Sequence, residues 1–286
     1  MLDSTKYPSL NDLLKDLKAN NQRLVAYVDA AVNVKDRTQN NAYKKGLAAD
    51  AFIKSSVNPG NIDKYLVNSK QGKNVVYYDW LNQQCFDLWQ GFIKGYSSAV
   101  LFDGLWTTMN EPFGDKNGEI KAPATQEELK ERLLTAVMTD SKPIQGESAA
   151  YDQSWFYSFW PLNTISSWYL PFIPELQTVG NYDASSLSLN ATHSNGVTDY
   201  DVHSLYSHAM MNVTSYALSH LSDARPFLLA KGSFASTGKY TASLAHTNNE
   251  RSWDSLYFGL ASVLRSQMFG MPHSGTDVCG YYKAGD

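Results

Sequence analysis

The 286-residue chain is 43% hydrophobic and 18% charged, with a formal net charge of −4. These values allow one large domain or two small ones around a sizeable core, and they exclude wholesale disorder. The mildly acidic balance gives no electrostatic attraction to nucleic acid or an anionic membrane, and no run reaches the ~20 apolar residues of a membrane span. The opening "MLDSTKYPSLNDLL" lacks the basic start and apolar stretch of a signal peptide. Residues 9–19 carry apolar residues at helical spacing, with Ser9 as the cap. The run 23–32, "RLVAYVDAAV", reads as one buried strand, and 33–74 as polar and irregular. Residues 84–96 are helical in pattern and 99–109 form the next strand. Helix and strand in alternation predict a parallel sheet, buried on both faces.

Further along, 125–138 predicts a helix capped by Thr125 with Glu128 three residues on. An aromatic stretch and a Ser/Asn-rich loop precede a long helix over 201–221, with Met210 and Met211 in its core face. Strands are expected at 225–234, 239–246 and 271–280, and a helix at 252–269 that stops at Gly270. The count is about five strand–helix units, where a (β/α)8 barrel has eight with its active groups at the C-terminal strand ends. Asp29, Thr108, Lys231, Asn248 and Asp277 each lie at or just after an apolar run, where that rule puts them.

Several features have plain readings. The 18 Tyr and 7 Trp suit a large core first and sugar stacking second. Cys85 and Cys279 are neither a disulfide framework nor a metal-ligand spacing, and free buried thiols are expected. His203 and His208, five apart, do not share a helix face as ligands would, so no metal or cofactor is implied. His246 and His273 end strands beside the presumed pocket as polar lining. "GSFASTG" over 232–238 lacks the ending of a phosphate loop. Asn190 and Asn212 begin Asn-X-Thr triplets, which leave glycosylation open.

Six segments resemble glycoside hydrolase family 31, the α-glucosidase family. "DGLWTTMNEP" (103–112) is similar to its nucleophile strand, D-G-x-W-x-D-M-N-E-P. "ARPFLLAKGSFASTGKY" (224–240) resembles R-P-F-v-l-S-R-S-x-F-x-G-x-G-K/R-Y, and "NNERSWDSL" (248–256) resembles D-N-x-x-x-W-x-x-L. "FGMPHSGTDVCGYY" (269–282), "DYDVHSLYSH" (199–208) and the stretch 7–32 complete the set, all in the family's order and at both ends of the chain. The resemblance implies a (β/α)8 barrel of the retaining α-glucosidases, incomplete here, with about strands three to seven over 1–286 and an irregular insertion around 113–200. It also implies that two Asp residues do the chemistry, one as nucleophile and one as acid/base.

Carried over one at a time, those positions hold other residues. The nucleophile falls on Thr108 and the acid/base on Asn248. The substrate-binding Arg falls on Lys231, which lacks the bidentate fork, and a Trp before the acid/base falls near Ala245. Asp277, Trp106 and Asp29 match the family's sugar-hydroxyl Asp, pocket Trp and V-D-P Asp, and are the expected substrate-binding positions. The expected reading is an inactive relative, a structural or interaction subunit rather than an enzyme. Its barrel would be completed by other chains or by a fragment of the same precursor. The alternatives are a non-catalytic carbohydrate-binding protein with a glycan ligand, or an active α-glucosidase or transglycosylase with relocated groups, Glu111 and Asp103. Both of these carboxylates are expected to be structural, Glu111 bonding loop backbone and Asp103 lying inside its strand. The family suggests the secretory pathway, lysosome or extracellular space, and the sequence leaves the compartment open.

Overall fold

The structure is a computed structural model, and it describes residues 7–34, 41–55, 65, 68–70, 73–107, 109–112, 186–187, 191–221, 223, 225–244, 251–278 and 280. In chain order the elements are α1 (Leu10–Ala19), β1 (Val25–Val28), β2 (Ala31–Asn33), α2 (Asn41–Ala48), β3 (Asn68–Lys70), β4 (Lys73–Tyr77), α3 (Gln83–Ala99) and β5 (Gly104–Thr107). After them come α4 (Asp199–Val202), a 3₁₀ turn (His203–Leu205), α5 (Tyr206–Ser219), β6 (Phe227–Ala230), a second 3₁₀ turn (Thr237–Lys239), β7 (Ala242–Leu244), α6 (Trp253–Met268) and β8 (Ser274–Gly275).

Three helices end alike. Asn21, Asp50 and Gly270 have positive φ just past α1, α2 and α6. In each, the next residue's N–H reaches back five positions, as Gln22 does to Leu17 O at 2.8 Å and Met271 to Ser266 O at 2.9 Å. This left-handed ending satisfies carbonyls that the helix leaves open. Asn82 and Ser252 cap α3 and α6 by accepting from Gln84 N and Ser255 N. Ser9 stands at the N-cap of α1 but its side chain makes no capping bond.

Five strands make a parallel sheet in the order β1-β5-β6-β7-β8. Ala26, Leu105 and Leu228 share one register row and are buried, and so are Thr107 and Ala230 in the next. Thr107 reaches Met211 Sδ of α5 at 3.4 Å, so this is the helix-covered face. Side chains alternate along a strand, so Tyr27, Trp106 and Leu229, paired in the row between, point to the opposite face. There Tyr27 is 61% exposed. A sheet with one face under helices and an open inner face is the wall of a (β/α)8 barrel.

The structure departs from the sequence reading in three places. The run 23–32 is two strands in different sheets, because Asp29 Oδ1 accepts the Ala31 N–H at 2.9 Å and turns the chain. Residues 33–74 are not irregular throughout: α2 lies here, and β3 and β4 join β2 in an antiparallel sheet ordered β2-β4-β3. Strands of three residues such as "NSK" are too short for alternation to register. The 201–221 helix is preceded by α4 and tightened at His203–Leu205 before α5. The link from β6 to β7, where the sequence placed no helix, holds a 3₁₀ turn and no α-helix among the described residues. The helix expected at 125–138 lies outside them.

One hydrophobic core joins both sheets to α3 and α5. Most of the described aromatics are spent there. Phe52 stacks on Tyr43 and Tyr78, and Trp80 meets Trp89 edge-on at 5.2 Å. Trp89 Nε1 donates to Thr214 Oγ1 at 3.0 Å and so fastens α3 to α5. Met210 and Met211 are fully buried, and Cys85 is a buried free thiol.

Candidate functional site at the strand ends

Parallel strands bring the residues that follow β1, β5, β6 and β8 to one rim. Asp29 follows β1, the 109–112 loop follows β5, Lys231 and Gly232 follow β6, and Asp277 follows β8. Thr108 and Asn248 lie outside the described residues.

Asp29 does not stand alone. Lys70 Nζ lies 2.8 and 2.7 Å from its two oxygens, and that lysine is only 6% exposed. A buried ammonium needs such a partner, so β3 of the second sheet neutralises the rim aspartate. The sequence reading had no signal for Lys70, which sits in a polar stretch without period.

Lys231 is likewise occupied. Its Nζ is 2.7 Å from Glu111 Oε1, and both side chains are about a third exposed. Glu111 was expected to bond loop backbone, but its Oε1 holds Lys231. The backbone-bonding role falls to its neighbour. Asn110 is fully buried, donates Nδ2 to Gly232 O at 2.8 Å and accepts Gly232 N at 2.6 Å. This two-point clamp locks the loop after β5 to the loop after β6. A Cβ on Gly232 would crowd Ser207 Oγ and Glu111 Oε2, so a side chain there would have to displace both. Ser207 in turn donates to Asn110 O at 3.1 Å, tying the start of α5 to the rim.

Trp106 sits within β5 on the inner face, its ring 4.9 Å from Tyr27. The indole N–H is buried and has no hydrogen-bond partner among the described residues. Asp277 is half-buried just beyond β8.

Two expectations fail on position. Asp103 lies before β5, not inside it. Its Oδ2 accepts Leu24 N at 2.9 Å and its Oδ1 is 3.8 Å from Arg23 Nε. That is the N-terminal end of the strands, the far end of the sheet from Glu111. His273 is exposed and precedes β8, again the wrong end for pocket lining. His246 lies outside the described residues. His208 pairs with Thr237 Oγ1 at 2.9 Å, and burial and Lys239 hold its imidazole below the usual range. Among the described residues no group of three or more His, Cys, Asp or Glu is placed to hold a metal.

The glycosyl hydrolases family 31 TIM-barrel domain profile matches residues 1–286. The chain belongs to glycosyl hydrolases family 31. It is 28% identical to alpha-xylosidase 1 of Arabidopsis thaliana over 243 residues, covering 84% of this chain and 24% of that protein. It is 25% identical to intestinal sucrase-isomaltase of Oryctolagus cuniculus over 290 residues, covering 98% of this chain and 13% of that protein. This family-31 chain thus spans a quarter or less of the length of these two relatives. Among solved structures, the ER glucosidase II heterodimeric complex of catalytic subunit and regulatory-subunit binding domain superposes with a TM-score of 0.65 at 17% identity, covering 98% of this chain and 23% of that one. Dextranase FjDex31A of Flavobacterium johnsoniae, complexed with glucose, gives 0.59 at 16%, covering 96% and 25%. These likenesses establish the (β/α)8 barrel fold, of which the described strands form part.

Proposed function

We propose that this family-31 chain is a catalytically inactive α-glucosidase relative that serves as a structural or interaction subunit. The observation that carries the proposal is the pair of residues at the family's reacting positions, Thr108 and Asn248. Retaining cleavage needs one ionised carboxylate to meet the oxocarbenium-like charge and a second to pass a proton, ~5–5.5 Å apart. A threonine hydroxyl brings no charge, and an amide gives up no proton near neutral pH. The rim supports the same reading. Asp29 is held by Lys70 and Lys231 by Glu111, so two charged groups that would grip sugar hydroxyls are satisfied internally.

In this proposal Asp29, Trp106, Lys231 and Asp277 are the remnant of a sugar pocket. Residues 1–286 act as a partial barrel, with 113–200 as an insertion. Other chains, or a fragment of the same precursor, supply strands beside β1 and β8, whose outer sides have no strand partner among the described residues. ER glucosidase II, a structure of similar fold, was solved as a heterodimeric complex of a catalytic subunit with the binding domain of a regulatory subunit. A second reading, a non-catalytic glycan binder, is favoured by the exposed Tyr27 tilted against Trp106 and by the indole N–H, which has no hydrogen-bond partner among the described residues.

Incubation of the purified chain with maltose and with an aryl α-glucoside tests the first reading. No turnover above background is expected. Turnover that follows the chain and disappears in Glu111→Gln would overturn it in favour of a relocated site. Calorimetric titration with glucose oligomers separates the second reading, since only a glycan binder gives saturable heat that Trp106→Ala removes.

A further inference from the structure

Away from the rim, His193 is buried between two buried carboxylates. Its Nδ1 lies 2.7 Å from Asp79 Oδ1 and its Nε2 3.4 Å from Asp199 Oδ1. A neutral imidazole has one N–H and would turn a lone pair toward one of these carboxylates; only the imidazolium donates to both. Asp79 also accepts Ser194 N at 2.6 Å and Leu81 N at 3.1 Å, and Asp199 Oδ2 accepts His203 Nδ1 at 2.8 Å. The cluster pins the turn after β4 to the 191–198 turn and to the α4 and 3₁₀ segment that leads into α5. Cys85 on α3 and Tyr206 on α5 also feel the Asp79 charge, and Tyr77 and Tyr78 at the end of β4 stand beside them. Burial pushes Cys85, Tyr78 and Tyr206 up, so these three stay neutral around the cluster.

The path to the candidate site is short. Tyr206 begins α5, and the next residue, Ser207, holds Asn110, which clamps Gly232 beside Lys231. We propose that Asp79, His193, Asp199 and His203 form a protonation-dependent latch. With His193 charged, the 191–205 segment is held and Ser207 is set against the rim loop; loss of that proton frees the segment and loosens the rim.

The direction in pH follows. Burial acts to lower His193, but the hydrogen bonds and charges of Asp199 and Asp79 outweigh it and raise the group from 6.5 to about 9. Its contribution is complete below 6.5 and is lost as pH rises through about 9. Burial acts to raise Asp79 and Asp199, but their histidine partners outweigh it and hold both below 3.8. Their contribution is present above 3.8 and is lost as pH falls through the lowered values. The latch is closed in acidic to neutral solution and opens on the alkaline side.

Long-range proton–nitrogen NMR of the histidine rings in the full chain reads the central claim directly. Both nitrogens of His193 protonated at pH 8, with the second proton leaving near pH 9, is the expected result. A singly protonated His193 at pH 7 would overturn the latch. Hydrogen exchange, corrected for intrinsic rates, should show protection of 191–205 and of 104–112 falling together as pH rises from 7 to 10. In His193→Gln, protection of both should already be low at pH 7 and nearly independent of pH. Loss confined to 191–205 would overturn the link to the rim. If that variant does not fold, Asp79→Asn and the ring spectra of the unmodified chain decide the matter.

Discussion

Lys231 and Glu111 are charged rim residues that are spent on each other. Lysine at this position cannot offer the planar fork of arginine, and its one ammonium is 2.7 Å from a carboxylate of its own chain. Asp29 is occupied in the same way by Lys70. Under the proposed inactive reading, restoring carboxylates at Thr108 and Asn248 is therefore not expected to suffice. The double variant Thr108→Asp, Asn248→Asp is expected to remain orders of magnitude below an active family member, at about 1.4 kcal/mol of lost transition-state stabilisation per tenfold. Hydrolysis of an aryl α-glucoside by the double variant checks this. Turnover at the level of an active relative would mean that Lys231 and Asp29 still serve a substrate. Of these pairs, the sequence reading held Asp29 and Lys231 as site positions. It lacked Lys70 and misassigned Glu111, because an ion pair across two loops leaves no mark on local pattern.

At the scale of elements, one helix end was readable. Gly270 was expected to stop α6, and it does so with φ +81. An alanine there would hold a left-handed conformation that costs an L-residue ~1–2 kcal/mol. Gly270→Ala is expected to lower unfolding free energy by that amount, measured by urea denaturation, while leaving the shape of far-UV circular dichroism unchanged. An effect within error would mean that the α6 ending rearranges at no cost. The short strands were less readable. β2 and β3 have three residues each and pair only in the folded molecule, whereas α3, with its buried Cys85, Trp89 and Ile93 at helical spacing, announces itself.

For the molecule as a whole, apolar surface is the feature with consequences. Along α6, Trp253, Tyr257, Leu260, Leu264 and Met268 are all at least 60% exposed, and the open inner sheet face carries Tyr27. Contiguous exposed apolar faces mark interaction surfaces or aggregation-prone ones, and the outer edges of β1 and β8 have no strand partner among the described residues. The 286-residue chain purified alone is expected to bind a hydrophobic dye and to self-associate with rising concentration, measured by fluorescence and light scattering. Cooperative unfolding of a dye-silent monomer would argue that these faces are covered within the chain and would remove the need for a partner.

The sequence alone determined the longer helices α1, α3, α5 and α6, that strands alternating with helices lie parallel, and which family's motifs the chain carries. All of these depend on residues within a few turns of one another. Helical spacing selects a buried face, and a motif is contiguous wherever the chain goes. Only the tertiary structure decided the pairings. Asp29 and Lys70 are 41 positions apart, and Asp79 and His193 are 114 apart. Whether a charged side chain is free to act or is spent on its own chain depends on which distant segment returns to it. That return is set by the packing of the whole core rather than by local pattern.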